Sequence, residues 1–360
     1  MNTFGNIFRL TTFGESHGDC VGGVVDGMPS GIVVDMDFLQ NELNRRRPGS
    51  GMYDSQRHEP DEVRLLSGVF EGRTTGAPIA FVVDNTDHRS ADYEHLRSVY
   101  RPSHADYVYD NKYSVRDFRG GGRSSARVLV SRVVAGALAK MVLRERNISI
   151  ESYTWQIGDV ALTADYTHYD LQKASSNMLH CPDETLAGEM ISRLDAVRRE
   201  GDSIGGVVMC VVKGCPLGLG EPEFGKLHAS LASAVMSINA CRAFEIGDGW
   251  QMARSKGSEM NDALIAETDE KGVRIKTLTN HSGGIQGGIS NGEDIFFRTA
   301  FKPIPTIMHE QTTVDVCGNA TTLAARGRHD VCVIPRVLPI VESMTAMTLL
   351  DFLLITEGKR

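Results

Sequence analysis

The chain has 360 residues, 41% hydrophobic and 23% charged, with a formal net charge of −8, so it is long enough for a large core and ordinary in composition. The acidic balance argues against wholesale nucleic-acid binding, and no apolar run approaches the roughly 20 residues of a membrane span, so neither partner is expected. Seven scattered cysteines without a CxxC pair, and an N-terminal segment lacking a basic stretch or cleavable apolar run, point to a reducing cytoplasm rather than a disulfide framework.

In chain order, residues 6–13 and 21–35 read as short strands on either side of the turn Gly14-Glu15-Ser16-His17-Gly18. Asp37 is placed to cap a short helix, Phe38 to Arg46, that ends before Pro48. Arg45 to Asp61 is polar and rich in Gly and Pro, hence a loop, and its length marks it as functional. Ile79 to Val83 reads as a buried strand, and 125–145 as a helix with Ser124 or Ser125 at its cap. Strands are then expected from Trp155 to Leu162 and Gly206 to Val212, with helices from Asp183 to Glu200 and Pro222 to Ile238. Val273 to Leu278 and Ile295 to Lys302 read as strands separated by HSGGIQGGISNG, and an amphipathic helix from Glu342 to Glu357 closes the chain. The irregular order, without βαβ alternation, repeat or linker, predicts layered α+β architecture over a single domain, 1–360.

The chemistry concentrates between Arg101 and Arg127, RPSHADYVYDNKYSVRDFRGGGRSSAR. Counted through Arg132, seven Arg and Lys face three Asp, a local +4 inside a chain of −8. The triplet Gly120-Gly121-Gly122, two hydroxyls and a helix start supply backbone N–H groups for an anion, and His104 stands at the entrance. Four further groups accompany it: GESHG at 14–18, Arg45-Arg46-Arg47 before Pro48, HSGGIQGGISNG with FKPIPT at 301–306, and Gly327-Arg328-His329-Asp330. Arginine's planar fork suits carboxylate and phosphate, so basic residues gathered in an acidic chain point to a small anionic ligand.

Taken together, GESHG, RRRPG, RPSHADY, GGGRSSAR, GGISNG, FKPIPT and GRHD resemble the chorismate synthase family, in register over almost the whole chain. The resemblance implies a layered β-α-β sandwich with internal pseudo-duplication, assembled as a homotetramer. It implies conversion of 5-enolpyruvylshikimate 3-phosphate to chorismate and phosphate, a 1,4-anti elimination that needs reduced FMN without net redox change. By the same resemblance Arg46, Arg101 and Arg127 hold the anionic substrate beside Ser16, a set also associated with NADPH contact. His104 protonates the leaving phosphate, His17 is an acid towards the flavin, and Asp330 works with the flavin in removing the C6 proton. The positions implied for FMN are Arg123, Ser124, Ser125, Asn239, Ala240, Gly287, Lys302, Pro303, Ile304, Pro305, Thr306 and Arg328, the last also facing substrate. Met52 stands where many bacterial relatives carry a second basic residue, with Arg57 as a possible substitute, and FKPIPT departs from the commoner KPTSS-like run. No separate nicotinamide fingerprint is visible, which leans towards an external flavin reductase rather than self-reduction with NADPH. Two other readings compete. A flavin carrier would need none of His17, His104 and Asp330, and a serine hydrolase would use Ser16 but lacks the GxSxG pattern.

Overall fold

The computed structural model describes residues 1–47, 53, 59–87, 90–269, 272–324 and 330–359. Met52, Arg57 and Arg328 lie outside the described residues. Two five-stranded antiparallel sheets enclose a layer of helices, the α+β sandwich expected. One sheet runs Thr3–Phe4, Arg9–Gly14, Cys20–Asp26, Ile79–Asp84, Val63–Leu65 in spatial order. The other runs Cys241–Ile246, Ile295–Phe301, Gly206–Lys213, Ser149–Ile157, Val160–Ala161. Helix Val130–Arg144 packs on the first sheet, helix Ile334–Gly358 on the second, and the two helices pack on each other.

Small residues decide how closely these helices approach. A Cβ on Gly136 would overlap Ser343 of the facing helix, and Ser131 donates to the Gly22 carbonyl of the first sheet. Val130, Val133, Val134, Leu138 and Val142 are fully buried, each contributing roughly 1.5–3 kcal/mol of burial. The C-terminal helix is long and apolar enough to cross a membrane, a length the sequence reading underestimated, yet 89% of its apolar window is buried inside the protein. It is the core of the sandwich.

Several element boundaries differ from expectation for identifiable reasons. The first long strand begins at Arg9 rather than residue 6, because the N–H groups of Asn6, Ile7 and Phe8 all donate to the Asp351 carboxylate. The first helix starts at Met36 and is capped by Asp35, whose side chain accepts from the Phe38 amide at 2.9 Å; Asp37 lies inside the first turn. Residues 31–35 form no strand beyond a single bridge from Val33 to Arg73. The segment after Ser125 makes a short 3-10 turn, Ala126–Leu129, before the α-helix opens at Val130. The helix expected from Pro222 is confined to Leu227–Met236. The final helix opens at Ile334 rather than Glu342, with Pro335 in its first turn, where a missing N–H costs nothing, and with Pro339 retained inside.

Candidate active site

The basic stretch folds around one carboxylate. Ser103 adopts a left-handed backbone (φ 56°), and the His104 amide donates to the Arg101 carbonyl at 3.2 Å. That tight turn brings Arg101 and His104 together over Asp106, the first residue of an unexpected helix, Asp106–Tyr113. Arg101 donates through Nε and Nη2 to the two Asp106 oxygens, each at 2.8 Å, and His104 Nδ1 lies 3.0 Å from Asp106 Oδ1. Asp106 is buried. Burial pushes its carboxyl up, but the hydrogen bonds from Arg101 and His104 outweigh that and hold it well below the usual carboxylate range.

The glycine triplet separates two histidines. Gly120, Gly121 and Gly122 all have positive φ (61°, 84° and 53°), which glycine alone adopts without strain. A Cβ on Gly120 would overlap the His17 ring, and one on Gly121 would lie 3.1 Å from His104 Cε1. These glycines, expected as donors for an anion, also have a steric reason. His17 is buried behind Gly120, with Nδ1 3.2 Å from Ser16 Oγ and its ring edge-on to Tyr93 at 4.9 Å. Ser16 is only 1% exposed, so it has no access to an acyl substrate, and the hydrolase reading loses its nucleophile.

The candidate cleft, of about 340 Å³, opens between the triplet, the FKPIPT turn and the start of the C-terminal helix. Of the expected positions, Arg46, His104, Ser124, Ser125, Asn239, Ala240, Lys302, Ile304, Pro305, Thr306 and Asp330 line it. Asn239 is locked by donation from Nδ2 to the Ser124 carbonyl at 2.6 Å, and the Lys302 amide donates to Ala240, so three separated segments share one wall. Lys302 Nζ donates to the Ser103 carbonyl at 3.0 Å, tying that wall to the His104 turn.

The remaining described positions do not line the cleft. Arg123 points the other way, donating to the Gly14 carbonyl, Thr12 and Asn2. Arg127 is buried behind the wall, where it donates to Asp61, Asn85 and the Asp84 carbonyl. Ser16 and His17 stand behind Gly120, Arg101 holds Asp106 beneath His104, and Pro303 is exposed. Gly287 is farthest: it sits in the hairpin Ile285–Gln286/Ile289–Ser290, held by the Leu227 amide donating to Gly288. That hairpin meets strand Ile295–Phe301 at its Ile295 end, whereas Lys302 follows the opposite end. Seven strand residues span roughly 20 Å, too far for both to line the cleft of one chain.

Two cleft arginines escaped the sequence reading. Arg336 donates through Nη1 to both Asp330 oxygens at 2.7 and 2.6 Å and through Nε to the Arg46 carbonyl at 3.3 Å. It sits in the first turn of the C-terminal helix, ahead of where the sequence reading began that helix. Arg242 lies one residue past the Asn239-Ala240-Cys241 turn and lines the same wall. Its partner on that wall is Lys302, whose ammonium is pushed down first by burial and then by Arg242.

The charges do not balance. Among the described residues, Arg46, Arg242, Lys302 and Arg336 line the cleft against the carboxylate of Asp330, four cations to one anion and a formal +3 with histidines neutral. Behind the wall, buried Asp61 accepts from both Arg46 (3.1 Å) and Arg127. Adding Arg127 and Asp61 brings one cation and one anion, so the excess stays at +3. Burial pushes the Arg46 guanidinium down to about 9, opposed by Asp61 and reinforced by Arg336 and Arg127. Buried cations held this way are an anion site in need of its anion. Among the described residues no cluster of His, Cys, Asp and Glu could hold a metal ion.

Comparison with known proteins points to one family. The family model described as chorismate synthase matches residues 8–354. A chorismate synthase of Bacteroides fragilis (strain YCH46) is 58% identical over 354 residues, covering 98% of both chains. A chorismate synthase of Cytophaga hutchinsonii is 54% identical over 359 residues, covering 100% of this chain and 99% of the other. A crystal structure of chorismate synthase superposes with a TM-score of 0.78 at 29% identity, over 99% of this chain and 94% of that one. With its two-sheet sandwich, its histidine-flanked glycine triplet and its cation-lined cleft, the chain belongs to the chorismate synthase family.

Proposed function

We propose that this chain converts 5-enolpyruvylshikimate 3-phosphate to chorismate and phosphate by 1,4-anti elimination, with reduced FMN. The observation that carries the reading is the formal +3 of a cleft that also holds His104 and Asp330. The substrate bears a phosphate and two carboxylates, and such groups are best held by charge-assisted bonds from fixed cations. In the elimination the C3–O bond to phosphate breaks, a proton leaves C6 and a new C=C bond forms, so atoms and electrons balance without net oxidation.

The donor set suits FMN. Lys302 and Arg242 offer a pair of cations for its phosphate, Ser124, Asn239 and Thr306 offer polar edges, and Ile304, Pro305 and Val337 offer apolar surface for a flat ring. Reduced FMN, when bound, would supply the transient electron that assists phosphate expulsion. The chain's own residues do the rest. Arg46 and Arg336 orient the anionic substrate, and their fixed charge stabilises the negative charge developing on the departing phosphate. His104, held at Nδ1 by Asp106, delivers a proton from Nε2 to that phosphate. Asp330, held by Arg336, accepts the proton leaving C6. His17, behind Gly120, acts through the wall rather than by touching the substrate. The protein works in the cytoplasm as a homotetramer, and an external reductase supplies reduced flavin in preference to its own use of NADPH.

The test is anaerobic phosphate release from the substrate. Release is expected with chemically reduced FMN and not with oxidised FMN; release without any flavin overturns the mechanism. His104→Ala and Asp330→Asn should each lower turnover by about 10²–10⁴-fold while FMN affinity changes far less. Equal losses in both would make these residues structural, and a flavin carrier would release no phosphate at all.

A further inference from the structure

We infer that Asp106 is a positioning residue: it holds the His104 imidazole with Nδ1–H as donor and Nε2 presented to the cleft, while Arg101 and Arg116 hold Asp106. The inference rests on the reading of His104 as the proton donor and deepens it. His104 lines the cleft, whereas Asp106, Arg101 and Arg116 do not. Arg101 makes three bonds to Asp106, from Nε, Nη2 and its own backbone amide at 3.1 Å. Arg116 Nη1 lies 3.4 Å from Asp106 Oδ1, at ion-pairing distance without a hydrogen bond. Its Nη2 is anchored on the carbonyls of Leu96 and Arg97, and its guanidinium lies over the Tyr100 ring. The carboxylate therefore has one orientation, and the imidazole that touches it inherits that orientation. A ring nitrogen bound to a fixed acceptor determines which nitrogen is left free.

The electrostatic consequence follows from the neighbours. Among the described residues, the charged groups sharing the cleft wall with His104 are Arg46, Arg242, Lys302, Asp330 and Arg336. Four of these five are cations and oppose an imidazolium; Asp106 is the carboxylate that the imidazole touches. Burial pushes the Asp106 carboxyl up, but Arg101 and His104 outweigh it, so Asp106 stays ionised near neutral pH. A carboxylate so placed favours the charged form of its neighbour. An acid that must start protonated needs that support in a cationic cleft. The arrangement also assigns Arg101 a task that the sequence reading did not: it aims the acid.

The experiment is 15N NMR of the histidines of the full-length protein without ligand, with His104 assigned by His104→Gln. In the unaltered protein the neutral His104 ring is expected to carry its proton on Nδ1; a proton on Nε2 overturns the inference with no need of a variant. In Asp106→Asn the titration midpoint of His104 is expected to fall, because the carboxylate that favours the imidazolium is gone, and Asp106→Glu to restore part of it. An unchanged midpoint overturns the inference. With reduced FMN and substrate, the alkaline limb of the kcat profile of Asp106→Asn should move down with that midpoint. A midpoint that moves without the limb supports Asp106 as the positioning residue and overturns only His104 as proton donor.

Discussion

Arg45 and Arg46 are neighbours at the end of one helix, yet they enter two differently built charged regions. Arg45 joins a closed quartet: it donates to Glu42 and to both oxygens of Glu342, and Lys140 donates to the same two carboxylates. Two cations meet two anions, and Glu342 also accepts from the amide and hydroxyl of Ser152. Arg46 instead joins a cleft in which cations outnumber carboxylates. The first region is complete within the chain and the second is not. Buried charge that balances locally is structure, and buried charge that does not is a request for a ligand.

The largest effect that would break this contrast is on stability. Glu342→Gln leaves buried Lys140 and half-buried Arg45 facing Glu42 alone, and breaking a buried ion pair by removing one partner costs about 3–5 kcal/mol. Urea unfolding should show that loss, with kcat of the surviving folded fraction close to normal. Acid adds a check on sign. Burial raises the Glu342 carboxyl, but Arg45 and Lys140 outweigh it and hold it below the ordinary range. A depressed folded-state pKa contributes stability that is present above the unfolded value, about 4.3, and lost as pH falls through the folded value. The unaltered protein should therefore lose this contribution only below about pH 4, whereas Glu342→Gln should lack it at every pH. A variant as stable as the parent would refute the structural reading of the quartet.

The second effect reverses the pattern. Arg46→Met leaves Asp61 paired with Arg127, a balanced couple, so unfolding should shift by less than about 1 kcal/mol. Binding of the anionic substrate should weaken by about 10–100-fold, the worth of a charge-assisted hydrogen bond of roughly 1.5–3 kcal/mol. Isothermal titration with the substrate, beside urea unfolding, reads both. A large stability loss with intact affinity would mean that Arg46 belongs with Arg45.

The contrast also marks what was legible in the sequence. Periodicity and composition placed strands such as Ile79–Asp84 and Gly206–Lys213 and the helix Glu184–Glu200 nearly to the residue, because each buries one pattern locally. The basic stretch and the FKPIPT turn were visible as clusters, and the structure does bring His104, Ser124, Asn239 and Lys302 to one wall. What one sequence could not display is pairing across distance. The Arg45 quartet joins positions 42, 45, 140 and 342, and Asp61 joins Arg46 to Arg127. Arg336 was hidden by two prolines that moved the expected helix start, and Gly287 was grouped with Lys302 although a whole strand separates them. Glycine-rich loops look alike in sequence; which end of a strand they serve is a tertiary fact.

The smallest effect sharpens the comparison inside the cleft. Arg242 is exposed at the rim, while Arg46 is buried at the floor. Both are cations on the same cavity, but solvent screens only the first. Arg242→Gln should weaken FMN binding by about threefold to tenfold at low salt, in line with roughly 1 kcal/mol for an exposed charge interaction. As ionic strength rises from about 0.1 M to 1 M the screening length falls from about 10 Å to 3 Å. The Arg242→Gln deficit should shrink towards nothing over that range, while the substrate-binding deficit of Arg46→Met should persist. Titrations of both variants at the two salt concentrations decide it. A salt-independent loss in Arg242→Gln as large as that in Arg46→Met would place Arg242 in the buried part of the site, and the distinction between rim and floor would fail.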